Sequence, residues 1–353
     1  MKKGWFFILI LIVSVGCSDD SNDSGYQPTA QPLDIPDIFS TYIIDPVLPN
    51  DNPQTVEGIA LGKKLFFDRI LSADGTQSCA TCHAPQKAFA DNLPTSTGVD
   101  GISGTRNAMP LFNLAWNYGD RFNWDGSALS LEQQAEEPVQ NPIELHSNWD
   151  NVVERLQNHP EYPQLFQLAF NTSTITKALT TKAIAQFERT LISANSKFDK
   201  YTLGQTSLTQ QELNGLDIFL REDKGDCFHC HGNPNNPLWT DNDFHNNGLD
   251  ATFTDLGLGA ITGDPNDNGK FRTPSLRNLA YTAPYMHDGR FATIDEVIDH
   301  YSEGLQNSST IDPLMKQIAQ GGVQLTNQEK ADLKAFLLTL SDPSFINNPN
   351  FQN

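Results

Sequence analysis

The sequence predicts an all-α protein that repeats one structural plan twice, and three observations lead to this prediction. Apolar residues recur at helical spacing in several segments of the 353-residue chain, whereas the alternation typical of strands is scarce. The motif Cys-x-x-Cys-His occurs twice, at residues 79–83 and 227–231. Each copy follows a helical segment and a short loop. We therefore predict two similar domains, residues 26–197 and 198–353.

The first element is typical of an export signal. Two lysines precede a short apolar run at residues 5–15, which is shorter than the roughly 20 residues that span a bilayer. Gly16-Cys17 follows and is typical of a lipoprotein cleavage site at which Cys17 would be lipidated; the alternative is an ordinary signal peptide cut nearby. Residues 1–25 are therefore interpreted as a cleaved signal peptide and polar tether. The mature protein is expected in the periplasm, or anchored to a membrane and facing the periplasm.

A helix is predicted before each copy of the motif. Before the first copy, four apolar residues have helical spacing: Ile59, Leu61, Leu65 and Phe66. A turn at Asp74-Gly75 follows them. Before the second copy, Thr209 and Glu212 form a capping box, which marks a helix start. The residues that follow supply the apolar face: Leu213, Leu216, Ile218 and Phe219.

Three further helices are predicted along the chain. Their apolar faces contain Trp149, Val152, Val153 and Leu156 in the first, and Ile184, Phe187 and Leu191 in the second. Thr326 and Glu329 cap the third, which is free to pack back on the first domain. Two long loops at residues 233–248 and 258–269 are expected to wrap a cofactor, because structureless loops of this length in a compact domain are usually functional.

The cysteines indicate the chemistry of the two motifs. Apart from Cys17, all cysteines lie in the motifs: Cys79, Cys82, Cys227 and Cys230. A redox dithiol requires no adjacent histidine, and a zinc site built from the two pairs would leave His83 and His231 unexplained. Covalent haem attachment explains every residue, because two thioethers hold the porphyrin and the following histidine binds iron. The motifs therefore predict two haem c groups and two cytochrome c-like domains.

The net charge of the chain limits the kinds of macromolecule that it could bind. The formal net charge is −20, with 43 acidic and 23 basic residues. Nucleic acid is an unsuitable partner, because phosphate binding relies on Lys and Arg. A basic protein would be attracted to such a surface. Solubility outside the cytoplasm would also explain this charge.

Four segments resemble the bacterial di-haem cytochrome c peroxidase family, which includes the MauG-type enzymes that oxidise tryptophans of a partner protein. They are "LGKKLFFDRILSADGTQSCATCH", "FNWDGSALSLEQQAEEPVQNPIELH", "AIAQFERTLISANSKFDKY" and "FRTPSLRNLAYTAPYMHDGRFATIDEVIDHY". The resemblance extends from about Pro53 to Leu340. It implies two all-α haem domains with one calcium ion between them.

The resemblance implies that the first haem, with His83 as its proximal ligand, reacts with peroxide. Many members close this site with a histidine from the following loop. The corresponding loop here, residues 91–107, contains no histidine. We therefore expect a five-coordinate or water-bound iron that needs no reductive activation.

Three residues match the catalytic positions of the family. Glu144 is the expected general base, which would move a proton from hydrogen peroxide to the leaving oxygen. Gln134 would orient peroxide or water. Trp124 matches the tryptophan that relays electrons between the haems.

The resemblance also assigns ligands to the second haem. His231 is the proximal ligand, and Tyr301 stands where many members have a methionine; Met315 is the rival sixth ligand. Arg272 directly precedes "TPSLRN" and Arg277 lies within it, and both are expected to bind haem propionates.

The remaining expectations concern other residues. Asn107, Thr282 and Pro284 match the family's calcium ligands, the last two through their carbonyl oxygens. Oxygen ligands suit this hard cation. His245 has no predicted role and is expected to be exposed.

The expected function is reduction of hydrogen peroxide to water with electrons from a small c-type cytochrome or cupredoxin. One alternative is a MauG-like enzyme that oxidises residues of a protein substrate. Another is a dihaem electron carrier without enzymatic activity. A homodimer is an open alternative to a monomer.

Overall fold

The computed structural model describes Met1, residues 26–46 and residues 48–353. The predicted signal peptide, the tether and Cys17 lie outside the described residues. Within the described part, no helix is both long and apolar enough to cross a membrane.

The described chain is rich in helices and has little sheet, which agrees with the all-α prediction. The first half contains α1 (Asp37–Tyr42), α2 (Val56–Phe67), α3 (Cys79–Cys82), α4 (Leu131–Gln140), α5 (Trp149–Asn158), α6 (Tyr162–Phe170) and α7 (Lys177–Arg189). The second half contains α8 (Lys197–Thr202), α9 (Gln210–Leu220), α10 (Phe228–His231), α11 (Leu258–Thr262), α12 (Ile294–Asp299), α13 (Asn327–Leu338) and α14 (Pro343–Ile346). A two-residue antiparallel pair joins β1 (Phe244–His245) to β2 (Phe271–Arg272).

Side-chain caps start the principal helices where the sequence predicts them. The Thr209 hydroxyl accepts a hydrogen bond from the Glu212 backbone N–H, and the Glu212 carboxylate accepts one from the Thr209 N–H. Thr326 and Glu329 make the same reciprocal pair at the start of α13. Such boxes satisfy two backbone N–H groups that the helix itself leaves free. Both predicted capping boxes are confirmed.

Each half contains one pair of closely crossing helices. In the first half α2 packs on α7, and in the second half α9 packs on α13. A glycine lies at each crossing. A methyl group at Gly62 would collide with the carbonyl of Ala183, and one at Gly215 would collide with the carbonyl of Asp332. The two halves therefore share a glycine-mediated helix crossing as well as the Cys-x-x-Cys-His motif.

Two hydrophobic clusters form the main cores. The first is built on α2, α5, α6 and α7, and the second on α9, α12 and α13. The chain after α13 returns to the first cluster. Phe345 and Phe351 are 2% and 8% exposed and pack on Phe89, with ring centroids 5.7 and 6.2 Å away. Residues at the C-terminal end of the chain therefore complete a core formed mainly by residues 61–191.

Polar contacts also join the halves. The Arg106 guanidinium pairs with Asp125 at 2.5 Å and with Asp255 at 2.7 Å. The Asp342 carboxylate accepts hydrogen bonds from the backbone N–H groups of Ala194 and Asn195 at 3.1 and 3.0 Å. These contacts fix the relative position of the two cavities described below.

Candidate active site

The first Cys-x-x-Cys-His motif lines a cavity in the first half. Cys79 and Cys82 lie at the two ends of α3, one turn apart, and both are half-buried. His83 follows directly. Its Nδ1 lies 2.9 Å from the carbonyl oxygen of Phe89, to which it can donate a hydrogen bond, leaving Nε2 free. Burial lowers the pKa of His83, which favours the neutral ring that an iron ligand requires.

The same cavity is lined by the predicted catalytic residues Gln134 and Glu144. Gln134 lies on α4, and Glu144 lies in the turn after that helix. The Asn141 side-chain amide donates a 2.6 Å hydrogen bond to the Glu144 carboxylate. Burial raises the pKa of Glu144, and the Asn141 hydrogen bond only partly opposes this shift. A carboxyl group with a raised pKa can both accept and return a proton.

Small residues of the loop at residues 91–107 also line this cavity. Ser96, Thr97 and Gly98 line it, and among its lining residues His83 is the only histidine. The Val99 N–H donates a 2.9 Å hydrogen bond to the Glu144 carbonyl, so the loop is attached to the backbone of the predicted base. The loop therefore offers no imidazole to the cavity.

Glu188 also lines this cavity, and the sequence reasoning did not identify it. Its side chain is 3% exposed, and its Oε2 has no hydrogen-bond partner. Desolvation raises its pKa to about 8. Its position inside an apolar helical face, "AIAQFERT", was the available signal, because a charged residue there must be buried.

The second motif lines a larger cavity in the second half. Cys227, Cys230 and His231 converge there with two residues that could serve as an iron ligand, Tyr301 and Met315. Desolvation lowers the pKa of His231 to about 4, so its ring is neutral. The Nδ1 of this histidine is buried without a partner, unlike that of His83.

Tyr301 is part of a π-helical turn, His300–Gly304, that continues α12. Its hydroxyl oxygen accepts a 3.1 Å hydrogen bond from the Asn247 side chain. Burial raises the pKa of Tyr301 to about 12, so an iron ion would have to displace its proton. Tyr301 and Met315 both stay candidates for the sixth ligand.

The two predicted propionate-binding arginines have different surroundings. Arg272 is 7% exposed and lines the second cavity, and its Nε has no partner. A buried guanidinium with a free donor is suited to bind an anion. Arg277 instead donates to both carboxylate oxygens of Asp199, at 2.9 and 2.5 Å, and is not among the lining residues.

The predicted calcium ligands and Trp124 belong to one cavity. Asn107, Thr282 and Pro284 line the second cavity together with Trp124. The Trp124 Nε1–H donates a 2.8 Å hydrogen bond to the Asn107 carbonyl. The Asn107 amide nitrogen donates to the Leu93 carbonyl at 2.8 Å, which leaves its side-chain oxygen available to a cation.

His245 lines the second cavity, although the sequence predicts no role for it. The expectation that His245 is exposed is wrong. Its side chain is 18% exposed and lies between two carboxylates. Nε2 is 2.9 Å from Asp241, and Nδ1 is 2.6 Å from Asp312. It lies close to Cys230, because Asp241 and His245 each place a ligand atom within 4.8 Å of the Cys230 sulfur.

Comparison with known proteins agrees with this geometry. A family model described as di-haem cytochrome c peroxidase matches residues 56–207. The chain is 39% identical over 309 residues to the methylamine utilization protein MauG of Methylorubrum extorquens, covering 85% of this chain and 83% of that protein. This chain belongs to the di-haem cytochrome c peroxidase family.

Other members show the same breadth of similarity. The cytochrome-c peroxidase IdrP1 of a Pseudomonas species is 34% identical over 337 residues, 86% of each chain. A crystal structure of a MauG-like protein associated with microbial copper homeostasis has a TM-score of 0.82 and 37% identity, covering 92% of this chain and 99% of that one. The chain is therefore an enzyme of the dihaem peroxidase type with two c-type haems.

Proposed function

We propose that this peroxidase reduces hydrogen peroxide to water in the cavity of residues 79–83, with electrons that enter through the cavity of residues 227–231. Two protons and two electrons convert one peroxide to two waters. The observation that carries this proposal is the placement of Glu144 and Gln134 in one cavity with His83, beside a loop without histidine. That combination offers an iron ligand on one side and a proton acceptor elsewhere in the cavity.

The residues present fit two covalently attached haems. Cys79 and Cys82 would hold the first haem and Cys227 and Cys230 the second, with His83 and His231 as proximal ligands. The free Nε of Arg272 supports a role in binding a propionate of the second haem. When bound, the first haem supplies the iron at which the oxygen–oxygen bond of peroxide is cleaved.

Glu144 moves the proton that peroxide cleavage requires. Its carboxylate accepts the proton from the bound peroxide and returns it to the leaving oxygen, which departs as water. The raised pKa supports this double role, because the group must be basic enough to accept and acidic enough to return the proton. Asn141 holds the carboxylate in place through its 2.6 Å hydrogen bond. Gln134 orients the peroxide.

Electron delivery uses the second half of the chain. Trp124 lines the second cavity, is 8% exposed and is held by its hydrogen bond to Asn107. A fixed, easily oxidised indole suits a relay between the two haems. The donor is a small c-type cytochrome or cupredoxin, and the net charge of −20 favours a basic donor.

The replacement Glu144→Gln tests the proton role. We expect peroxide consumption to slow by about 10²–10⁴-fold, the usual contribution of a general base, while both haem spectra stay unchanged. Stopped-flow mixing of the oxidised holoenzyme with peroxide measures this rate. The exposed residue Glu154 offers a matched control, since Glu154→Gln removes a carboxylate outside this cavity. An unaltered rate in Glu144→Gln would remove Glu144 from the mechanism.

A second candidate function is oxidation of a protein substrate, as in the MauG-type members. Tyr301 in the second cavity and the missing histidine in the loop at residues 91–107 favour it. Steady-state turnover distinguishes the two functions. Fast peroxide reduction with a reduced cytochrome supports the peroxidase, and slow turnover with a long-lived two-electron-oxidised state supports the alternative. A holoprotein without high-spin iron in its EPR spectrum would instead be an electron carrier.

Calcium, export and assembly complete the proposal. The free side-chain oxygen of Asn107, with Thr282 and Pro284 lining the same cavity, supports one calcium site. The two haem domains comprise residues 26–197 and 198–353. The sequence of residues 1–25 supports export to the periplasm, with a lipid anchor through Cys17 as one form. A homodimer stays a prediction.

A further inference from the structure

Glu188 lies in the first cavity and has no place in the mechanism described above. It is on α7, which packs on α2 and α4, and it is 3% exposed. Carboxylates are rarely buried to this extent without a partner, because leaving water penalises the charged form. The Glu188 Oε2 nevertheless has no hydrogen-bond partner.

Its two charged neighbours oppose each other, because Arg189 lowers the pKa of Glu188 and Glu132 raises it, and neither outweighs desolvation. Arg189, the next residue, donates both of its Nη2 hydrogen bonds to the Glu132 carboxylate of α4, at 2.8 and 3.1 Å. Glu132 itself disfavours a second negative charge nearby. Cys79 faces Glu188 from α3, and Glu144 lines the same cavity. From α2, the lining side chain is the apolar Phe66.

A buried carboxyl group in such surroundings responds to any change of charge in the cavity. An electron added there makes the cavity more negative, which favours the neutral, protonated carboxyl group. Removing the electron favours the carboxylate. The interaction is strong because Glu188 is buried, so that water screens its charge only weakly.

We propose that Glu188 binds one proton when the prosthetic group held by Cys79, Cys82 and His83 gains one electron, and releases that proton on oxidation. The electron comes from the donor protein and the proton from solvent. This inference rests on the proposed haem at residues 79–83 but not on its reactivity towards peroxide. Glu188 is thus a protonatable group distinct from Glu144, which serves the peroxide itself.

A redox titration of the holoprotein at several pH values tests the proposal without peroxide. The ordinary pKa of a glutamate and its value of about 8 here bracket the range in which the effect is expected. There the reduction potential of the first haem should fall by up to about 59 mV per pH unit, the equivalent of a tenfold change in proton activity for one electron. Glu188→Gln should abolish most of this slope, whereas Glu154→Gln should retain it.

Two results would overturn the proposal. One is an unchanged slope in Glu188→Gln, and the other is loss of the slope in Glu144→Gln with retention in Glu188→Gln. If Glu188→Gln yields no holoprotein, redox-difference infrared spectra of the wild type decide, because protonation of a buried carboxyl group adds a C=O band. Absence of that band would overturn the proposal as well. Failure of the peroxidase function would show separately, as inertness to peroxide with the slope intact.

Discussion

Tyr301 and Met315 line one cavity, and if one of them is the sixth iron ligand, as proposed, its identity would set the reduction potential of the second haem. Tyrosinate favours oxidised iron, whereas a thioether raises the potential. The pKa of Tyr301, raised to about 12 by burial, opposes ionisation until a cation replaces the proton. Asn247 donates a hydrogen bond to the hydroxyl oxygen and would also stabilise the phenolate.

The pair of replacements Tyr301→Phe and Met315→Leu distinguishes the ligands. We expect Tyr301→Phe to raise the potential of the second haem and to change its low-spin EPR signal, because the oxygen ligand is lost. Met315→Leu should leave both unaltered. Low-temperature EPR of the oxidised holoprotein makes the measurement, and the reverse pattern would assign Met315.

Sequence reasoning at this scale succeeded where a residue belongs to a contiguous motif. Cys79, Cys82 and His83 lie together because one turn of helix places them so, and Gln134 and Glu144 follow from one matched segment. Glu188 and His245 were missed for a physical reason. The role of His245 depends on Asp312, 67 residues away, and no local pattern encodes such a contact. Glu188 interrupts an apolar stretch, but only the fold shows that its Oε2 has no hydrogen-bond partner.

Gly62 allows α2 to approach α7 closely, and this crossing supports one wall of the first cavity. Gly62→Ala should destabilise the protein by about 1–3 kcal/mol or more, because a methyl group would collide with the Ala183 backbone. Gly104→Ala is a suitable control, since its nearest neighbour is 3.6 Å away. Denaturant unfolding of both variants tests this; equal stabilities would contradict the packing described.

His245 ties the loop at residues 241–245 to the segment that precedes Met315. Its pKa is raised, first by the hydrogen bond to Asp241 and also by the one to Asp312. The folded-state pKa lies above the ordinary 6.5, so the stabilisation is complete below about pH 6.5 and is lost as pH rises through the raised pKa. With Cys230 in thioether linkage, the two carboxylates hold the imidazolium.

The replacement His245→Gln tests this pH dependence. The free energy of unfolding of the wild type minus that of the variant should be largest at about pH 6 and should shrink as the solution becomes alkaline. Denaturant titrations across this range provide the comparison, with His159→Gln as a control on the first half. A difference that stays constant with pH would show that the imidazolium pairs do not contribute.

The helices that sequence reasoning located best carry both a capping box and an apolar stripe, as α9 and α13 do. The short α11 and strand β1 lie within segments interpreted as long loops, and β2, the partner of β1, begins just after the second of them. Their few residues make no periodic pattern. They are held by contacts across the fold, such as the Leu258 N–H to the Lys270 carbonyl.

At the scale of the whole molecule, the C-terminal aromatics belong to the first core. Phe345 lies 5.7 Å from Phe89 and 5.8 Å from Phe112, measured between ring centroids. Phe345→Ala should therefore destabilise the first half by about 3–5 kcal/mol, although the residue belongs to the second half in sequence. Leu338→Ala, at an exposed position of α13, should have little effect.

Calorimetry combined with the absorbance of each haem tests that prediction. The first haem should lose its native spectrum at a lower temperature in Phe345→Ala, while the second haem keeps its transition near that of the wild type. Loss of the second haem's spectrum first would contradict the assignment of Phe345 to the first core.

The return of Phe345 and Phe351 to Phe89 has a consequence for biosynthesis. A ribosome makes the first haem-attachment sequence more than 250 residues before it makes Phe345. The first motif to be synthesised thus lies in the core that is completed last. A chain truncated shortly after residue 340 would contain both attachment sequences, but the core of its first half would lack Phe345 and Phe351.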